Sequence, residues 1–305
     1  MRIAIVGGGI SGLSLAYALL EKGEGLDIKV FEAKNRPGGK IYTEKVNGYV
    51  CEAGVNGFLD NKPNTLELAA RINLSPLRSS DNARNRFIYT DGALQQIPDS
   101  AVKFFMSNFL SLSGRLRMIG EYFVPRAMND DETLESFAER RVGREFYEKL
   151  LDPMASGVYA GDPTKMSIRS CFAKVYGLER NYGGLIKGFM AVGKEAKKSG
   201  KKVEAGPGGT LMSFREGMYS LIESLENLLG YRIETGKAAK GIDKIPNGYQ
   251  LHFQDGSTYE ADCVVLASPA IDSAEIVRDF DKTIFDTLNT IPYPALSVVS
   301  FGFKR

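Results

Sequence analysis

The sequence predicts an α/β protein in which a parallel sheet is joined by antiparallel hairpins and by a helical insertion. A strand–helix–strand pattern fills the first 32 residues, and alternating segments that turn near Gly92 and Gly256 are typical of hairpins. Helical periodicity dominates residues 100–200. At 305 residues with 43% apolar side chains, the chain is long enough for one large or two modest domains around a buried core.

The N-terminal pattern predicts a βαβ unit. A continuous apolar run at residues 3–6 is typical of a parallel strand covered on both faces, and a second strand at 28–31 leads to Glu32. Between them, a helix is indicated by apolar residues at helical spacing, namely Leu13, Ala16, Tyr17 and Leu20. Such a strand–helix–strand order is typical of a Rossmann-like nucleotide-binding unit.

Further along the chain, residues 214–229 are expected to form a helix, and the apolar run 263–267 is expected to return to the parallel sheet. A helical stretch at 146–151 should stop before Pro153 because proline cannot donate the next helical hydrogen bond. Residues 297–303 look like a strand with nothing after it to close a domain. We therefore expect a fragment, or a partner that supplies the missing part.

Composition argues against several classes of function. With 39 basic and 37 acidic side chains, the net charge of +2 gives no electrostatic case for a nucleic-acid partner. His252 is the only histidine, so it alone would have to support any zinc or Ser–His chemistry, and no metal site is expected. The cysteines at 51, 171 and 263 match neither a disulfide framework nor a metal cluster and favour a reducing compartment.

The first turn carries the G-x-G-x-x-G spacing of a pyrophosphate-binding loop. Gly7 permits the tight turn, Gly9 lets the backbone approach phosphate, and Gly12 allows the helix to pack closely on the strand. The helix N-terminus then presents N–H groups and a positive dipole end to the phosphate charge. Glu32 follows Gly12 by 20 residues, where a carboxylate accepts hydrogen bonds from ribose hydroxyls and disfavours a 2′-phosphate. FAD or NAD is therefore expected, and NADP is not.

Two later segments favour FAD over NAD. Residues 36–40 place a second glycine pair just beyond the ribose-binding acid, where another backbone turn can lie against the dinucleotide. Residues 52–57 offer small side chains and free N–H groups against which a flat ring could lie. Read alone, either segment could also be an ordinary glycine turn.

Together, Gly7–Gly12, Glu32-Ala33, Arg36 and Gly38-Gly39 resemble the group of flavin monooxygenases, amine oxidases and porphyrinogen oxidases. More specific stretches resemble the oxygen-dependent protoporphyrinogen/coproporphyrinogen oxidases of haem biosynthesis over essentially the whole chain. These stretches include residues 85–89, 112–118, 131–137, 153–162 (PMASGVYAGD), 174–176, 183–188 (GGLIKG) and 213–225.

The resemblance implies a GR2-type FAD-binding domain from residues 1–78 and 205–268, and an antiparallel-sheet substrate domain from 79–204 and 269–305 with the helical insertion at about 100–200. The resemblance also implies that this sequence lacks the C-terminal remainder of the family fold. The implied cofactor-binding residues are Gly7, Gly8, Gly9, Ile10, Ser11, Gly12, Glu32, Ala33, Lys40, Gly54, Val55, Asn56, Gly57 and Ala239. Arg86 is implied to hold a propionate of the tetrapyrrole, for which a bidentate guanidinium is suited, and Asn56 is also implied to contact substrate.

The implied activity is oxidation of protoporphyrinogen IX or coproporphyrinogen III to the porphyrin, with O₂ accepting the electrons and no acid–base residue assigned. Val55 stands where the family commonly has proline, and Asn56 where it often has arginine or another polar group. The alternatives are another amine oxidase or desaturase of the same fold and a non-catalytic dinucleotide-fold protein of the GTPase-escort type.

Because no apolar run is long enough for a signal peptide or a membrane span, we expect a cytoplasmic protein. The resemblance leaves open a homodimer and peripheral membrane contact through the helical insertion. The aromatic stretch 104–112 is a candidate membrane-contact face, although such stretches are more often core or substrate lining.

Overall fold

A computed structural model gives the structure and describes the whole chain except residues 24, 91, 99–100, 108, 200–208 and 304–305. The strands are β1 (Arg2–Val6), β2 (Asp27–Phe31), β3 (Thr43–Val46), β4 (Tyr49–Glu52), β5 (Phe58–Leu59), β6 (Leu77–Arg78), β7 (Phe87–Thr90), β8 (Ala93–Gln96), β9 (Leu211–Ser213), β10 (Ile233–Glu234), β11 (Ala239–Ile245), β12 (Gly248–Phe253), β13 (Thr258–Ala261) and β14 (Cys263–Leu266).

The α-helices are α1 (Ile10–Lys22), α2 (Pro63–Arg71), α3 (Ala101–Met106), α4 (Leu112–Ile119), α5 (Leu134–Arg141), α6 (Arg144–Phe146), α7 (Asp152–Tyr159), α8 (Ile168–Cys171), α9 (Ala173–Tyr182), α10 (Leu185–Ser199), α11 (Tyr219–Leu229), α12 (Ala270–Val277) and α13 (Lys282–Asn289). Short 3₁₀ turns lie at Asp81–Arg84, Gly120–Phe123 and Gly230–Arg232, and a π-helical turn lies at Tyr147–Leu151.

The chain forms two compact units, of which the first contains residues 1–79 and 209–305. Its centre is a parallel sheet in the order β10-β2-β1-β14, in which Ile3–Val6 of β1 pair with Ile28–Phe31 on one side and with Cys263–Leu266 on the other. The predicted βαβ unit and the return of residues 263–267 to the parallel sheet are therefore confirmed.

Apolar layers cover both faces of this sheet, which explains why β1 is a continuous apolar run. On one face, Leu13 and Ala16 of α1 pack with Leu221 and Leu225 of α11 in the largest core cluster. On the other face, the antiparallel sheet β11-β12-β13 and α12 bury a second cluster around Phe31. The predicted hairpin at residue 256 is confirmed as β12 and β13.

Residues 269–305 differ from the expected domain division. We expected them in the substrate domain, but the structure groups them with the first unit. The reason is that Ile276 and Val277 of α12 are buried in the same cluster as Ala4 and Val6 of β1.

The second unit contains residues 80–208. It consists of the hairpin β7–β8, which confirms the first hairpin prediction, followed by the helices α3–α10. Phe104 and Phe109 of the aromatic stretch are buried in a small core cluster with Leu110, whereas Leu112 is exposed. The helical insertion is thus confirmed, and the aromatic rings at 104 and 109 belong to its core.

Three secondary-structure predictions are wrong. The helix expected at 214–229 begins only at Tyr219, because Gly217 adopts a φ of +96° that is incompatible with a helix. The helical stretch expected to end before Pro153 is followed without a break by α7, which continues to Tyr159. Pro153 lies in the first turn of α7, where its missing N–H removes no hydrogen bond within that helix.

The third concerns residues 297–303, where the described part of the chain has no strand. Their apolar side chains, including Val299 and Phe301, are largely exposed, and no described strand pairs with them. An apolar run without a neighbouring strand has no partner for its backbone hydrogen bonds.

Candidate functional site: a nucleotide cradle in the first unit

The turn between β1 and α1 depends on glycine at two positions. Gly7 has a φ of +112°, and a Cβ there would lie 2.9 Å from the backbone carbon of Ala267. A Cβ on Gly12 would lie only 2.0 Å from the carbonyl oxygen of Gly7. The tight turn and the close helix–strand packing expected from the motif are both present in this geometry.

The N-terminus of α1 faces open space. Gly9 is the N-cap residue, and among the described residues no side chain caps the helix. A Cβ on Gly9 would meet no described atom within 4 Å. Because the first N–H groups of a helix lack intrahelical partners, this end presents donors and a positive dipole to whatever occupies the space.

Glu32 lies at the edge of this turn and is buried, with only 7% of its surface exposed. Its Oε2 accepts a hydrogen bond from the Gly8 amide at 2.8 Å, and its Oε1 accepts one from the Lys34 amide at 2.9 Å. Each carboxylate oxygen has a second lone-pair site, so further hydroxyl donors can still bind. The structure therefore brings Glu32 to the glycine turn, as the sequence spacing predicts.

A second glycine turn lies against the first. The Gly38 amide donates to the Gly8 carbonyl at 2.7 Å, and Gly9 and Gly38 form an isolated parallel bridge. Gly38 and Gly39 have φ values of +108° and +57°, and a Cβ on Gly39 would lie 3.4 Å from the Gly9 Cα. The two turns thus form one continuous backbone surface, which we call the cradle (residues 7–12 and 36–40).

The loop at 52–57 also relies on glycine for close backbone approach. A Cβ on Gly54 would lie 2.5 Å from the carbonyl oxygen of Lys40, and one on Gly57 would lie 2.5 Å from that of Met212. Val55 and Asn56 between them are exposed, as is Lys40. The implied flavin-side residues Lys40 and Gly54–Gly57 are therefore neighbours in the first unit.

Ala239 lies near the ribose end of the cradle through the backbone that precedes it. The Lys237 amide donates to the Glu32 carbonyl at 2.9 Å, and the Gly236 amide donates to the Lys34 carbonyl at 2.9 Å. Ala239, the first residue of β11, follows two residues later. Ala33, between Glu32 and Lys34, is exposed.

Thr43 and Glu52 have a role that sequence reasoning missed. The Thr43 hydroxyl donates to Glu52 Oε2 at 2.7 Å and accepts from the Tyr219 amide at 3.0 Å, while Glu52 Oε1 accepts from the Met218 amide at 2.7 Å. The pair therefore caps α11 from a hairpin far away in sequence. The acid at 52 and the glycine at 217 are visible in the sequence, but their contact is not.

Arg86 belongs to the second unit. It follows the 3₁₀ turn Asp81–Arg84 and comes directly before β7, its side chain is exposed, and its carbonyl accepts from the Ile97 amide at 2.8 Å.

In the first unit, His252 Nε2 lies 2.8 Å from Asp243 Oδ2 on the neighbouring strand. Among the described residues, no group of three His, Cys, Asp or Glu side chains could hold a metal ion.

Comparisons with known proteins identify the family. Residues 10–305 match the model of the flavin-containing amine oxidoreductases, and the chain belongs to this family. The family assignment makes FAD the cofactor. The open helix N-terminus, the glycine backbone surface and the fixed Glu32 fit its diphosphate and ribose.

Two relatives are similar over nearly the whole chain. Protoporphyrinogen oxidase 1 of Arabidopsis thaliana chloroplasts is 32% identical over 99% of this chain, and 58% of its own length is covered. Coproporphyrinogen III oxidase of Bacillus subtilis (strain 168) is 31% identical over 100% of this chain and 67% of its own length. The chain thus spans about three fifths of the length of several such relatives.

Solved structures agree on the fold. A crystal structure from Exiguobacterium sp. 255-15, assigned as a protoporphyrinogen oxidase, has a TM-score of 0.74 and 27% identity over 91% of this chain and 61% of its own. Cyclohexylamine oxidase from Brevibacterium oxydans IH-35A has a TM-score of 0.65 at 17% identity, over 94% of this chain and 62% of its own.

Proposed function

We propose that the protein to which this chain belongs is an FAD-dependent oxidase of porphyrin biosynthesis that converts a porphyrinogen to the porphyrin with O₂ as electron acceptor. The observation that carries the proposal is the cradle, in a chain about 30% identical to named protoporphyrinogen and coproporphyrinogen III oxidases. The substrate is protoporphyrinogen IX or coproporphyrinogen III.

In this proposal the cradle and the residues around it each hold one part of FAD. Gly7–Gly12 and the N-terminus of α1 bind the diphosphate, and Glu32 with Ala33 binds the ribose. The backbone at Ala239 contacts the adenine, and Lys40 with Gly54–Gly57 lies on the flavin side. The uncapped end of α1 and the two anchoring hydrogen bonds of Glu32 support these roles.

When bound, the flavin supplies the hydride-accepting and O₂-reducing chemistry, so the protein's task is to bind, orient and exclude side reactions. Arg86 pairs with a propionate of the substrate through two parallel N–H donors. Asn56, exposed beside the flavin-side glycines, contacts the macrocycle. No side chain of this chain is assigned a proton transfer.

The function is tested with the full-length protein carrying FAD. Under anaerobic conditions, each porphyrinogen should bleach the flavin absorbance, and O₂ should restore it while porphyrin fluorescence appears. Bleaching by a primary amine and not by either porphyrinogen would favour the amine-oxidase alternative. Purified protein that takes up no flavin would favour the non-catalytic alternative.

For partners, we propose peripheral contact with an anionic membrane through α4 and the turn that follows it. Leu112, Leu116 and Phe123 lie on one side of this helical segment and are 73%, 61% and 81% exposed. Between residues 101 and 128 the charged side chains are Lys103, Arg115, Arg117, Glu121 and Arg126, and Glu121 is buried. The exposed charges of the segment are therefore basic and complement anionic lipid headgroups.

Vesicle sedimentation tests this contact. Wild-type protein should pellet with phosphatidylglycerol vesicles and remain unbound with phosphatidylcholine vesicles. Leu116→Glu with Phe123→Glu should abolish pelleting, whereas Leu94→Glu, an exposed apolar position of β8, should not. Equal pelleting of all variants would contradict the proposal.

Among the described residues, no helix is long and apolar enough to cross a bilayer. We place the reaction in the cytoplasm because Cys51, Cys171 and Cys263 are free thiols, which suits a reducing compartment. We also propose a homodimer, for which analytical ultracentrifugation should show a species of about twice the monomer mass.

A further inference from the structure

Arg36 lies over two tyrosine rings beside the cradle and has no role in the proposed function. Its guanidinium carbon lies 4.0 Å from the centroid of the Tyr42 ring and 5.9 Å from that of Tyr219. Its Nη1 donates to the carbonyl of Pro37 at 3.2 Å. The two tyrosine rings meet edge to face with centroids 5.7 Å apart and an interplanar angle of 81°. We call this group of three side chains the stack.

The stack joins the neighbouring residues Arg36 and Tyr42 to Tyr219, which lies far from them in the sequence. Arg36 is the first residue of the second glycine turn, Tyr42 comes directly before β3, and Tyr219 is the first residue of α11. The Tyr219 amide is itself fixed by the Thr43 hydroxyl. The stack therefore ties the start of the second turn to the capped end of a buried helix.

The second turn is held from behind by the same residues. A Cβ on Gly38 would lie 3.1 Å from the Tyr219 ring, so the turn packs closely on it. From its other side the Gly38 amide donates to the Gly8 carbonyl at 2.7 Å. Because the Tyr219 ring packs directly behind Gly38, loosening of the stack would remove the contact that holds Gly38 towards Gly8.

We propose that Arg36 is a positioning residue whose stacking on Tyr42 and Tyr219 holds the second glycine turn against the first and so preforms the cradle. This inference rests on the proposed FAD-binding role of the cradle. A planar guanidinium lies flat on an aromatic ring in a way that an ammonium group does not, so stacking, rather than charge alone, is the required property.

The test compares Arg36→Met and Arg36→Lys with two controls. Tyr42→Phe keeps the ring face, and Arg232→Met removes a cation–ring contact of 4.6 Å with Tyr231 outside the cradle. In the flavin-free protein, hydrogen exchange of the Gly38 amide should become roughly tenfold faster in both Arg36 variants. It should stay unchanged in the two controls.

Nucleotide binding gives the second measurement. In both Arg36 variants, the dissociation constants of FAD and of ADP should rise by about the same factor, roughly tenfold, because both ligands carry the diphosphate. Unchanged Gly38 exchange in Arg36→Met would overturn the proposal. Wild-type affinity in Arg36→Lys would overturn it in favour of a purely electrostatic role. Wild-type protein that binds FAD but oxidises no porphyrinogen would refute the proposed function and leave the role of Arg36 standing.

Discussion

At the scale of single residues, two glycines of one motif have different physical tasks. Gly12 is required by the fold, since its Cβ would meet the Gly7 carbonyl at 2.0 Å. Gly9 is not, since its Cβ would point into space free of described atoms within 4 Å and its φ of −74° is open to any residue. Substitution by alanine should therefore separate stability from ligand binding.

Gly12→Ala should lower the free energy of unfolding by about 2–3 kcal/mol, because the extra methyl group forces the helix away from the strand. Gly9→Ala should change the free energy of unfolding by less than about 1 kcal/mol but weaken FAD binding more than about tenfold. Urea unfolding and flavin fluorescence titration measure the two quantities. A Gly9→Ala protein with wild-type affinity would show that the diphosphate lies elsewhere.

The same scale shows what the sequence can and cannot predict. The spacing of Gly7, Gly12 and Glu32 predicts their arrangement because all three lie within one βαβ unit, whose geometry is set by nearby residues. The stacking of Arg36 on Tyr219 could not be predicted, because 183 residues separate the two and neither has a spacing rule. Local motifs encode the first turn of the cradle, and tertiary contacts fix the second.

At the scale of elements, α11 shows how a helix boundary can depend on distant residues. Its apolar face, with Leu221 and Leu225, is evident from spacing, but its start is set by Gly217 and by the cap from Thr43 and Glu52. The sequence alone predicts that the helix begins at residue 214. Phe214 is buried in the structure, but it lies outside the helix.

The cap should contribute measurably to stability. Glu52→Ala should lower the free energy of unfolding by about 1–2 kcal/mol, because the Met218 amide loses a charged acceptor at a helix N-terminus. Glu44→Ala, an exposed position in the same hairpin, serves as the control and should have an effect within about 0.5 kcal/mol. Equal losses in the two variants, measured by urea unfolding, would contradict the capping role.

In the second unit, a buried ion cluster connects α5, α9 and α10. Arg141 is fully buried and pairs with Glu121 at 3.0 Å and with Glu179, while Arg140 pairs with Glu179 and Glu132. Glu121 also accepts from the Leu185 and Ile186 amides at the start of α10. Spacing rules predict the helices of this unit, but not the charges that join them.

Glu179 makes this cluster sensitive to acid. Burial opposes its charged form, but hydrogen bonds from Arg140, Arg141 and the Ala127 amide outweigh burial and lower the pKa of Glu179 from 4.5 to about 2. Because the pKa is lower in the folded state, the stabilisation is complete above about pH 5 and is lost as the pH falls through 4.5 towards 2. Its full size is about 3 kcal/mol.

Glu179→Gln should therefore flatten the acid limb of the stability curve. Between pH 5 and pH 3 the wild type should lose about 2 kcal/mol more than the variant in urea unfolding experiments. Glu148→Gln, which removes an exposed partner of Arg144, should leave the acid limb as in the wild type. Parallel curves for wild type and Glu179→Gln would contradict the assignment.

At the scale of the whole molecule, sequence reasoning found a division close to the observed units but misplaced the last segment. The expected boundaries at residues 78/79 and 204/205 lie near those of the structure, at 79/80 and 208/209. Residues 269–305 belong to the first unit because α12 is buried together with β1, a contact between segments far apart in the chain that no local pattern indicates. The packing of α12 on the parallel sheet depends on which apolar faces remain uncovered.

This division makes FAD stabilisation unequal across the molecule. The residues proposed to bind FAD all lie in the first unit, so ligand binding should protect that unit selectively. At a free FAD concentration of 100 times the dissociation constant, the expected stabilisation is about 2.7 kcal/mol, or roughly a hundredfold slower opening-limited exchange. Hydrogen-exchange mass spectrometry should therefore show strong protection of peptides covering β1, α1 and the cradle. Peptides from α5 and α9 in the second unit should exchange as in the flavin-free protein. Equal protection of both units would contradict this prediction and show that they respond to the nucleotide as one cooperative body.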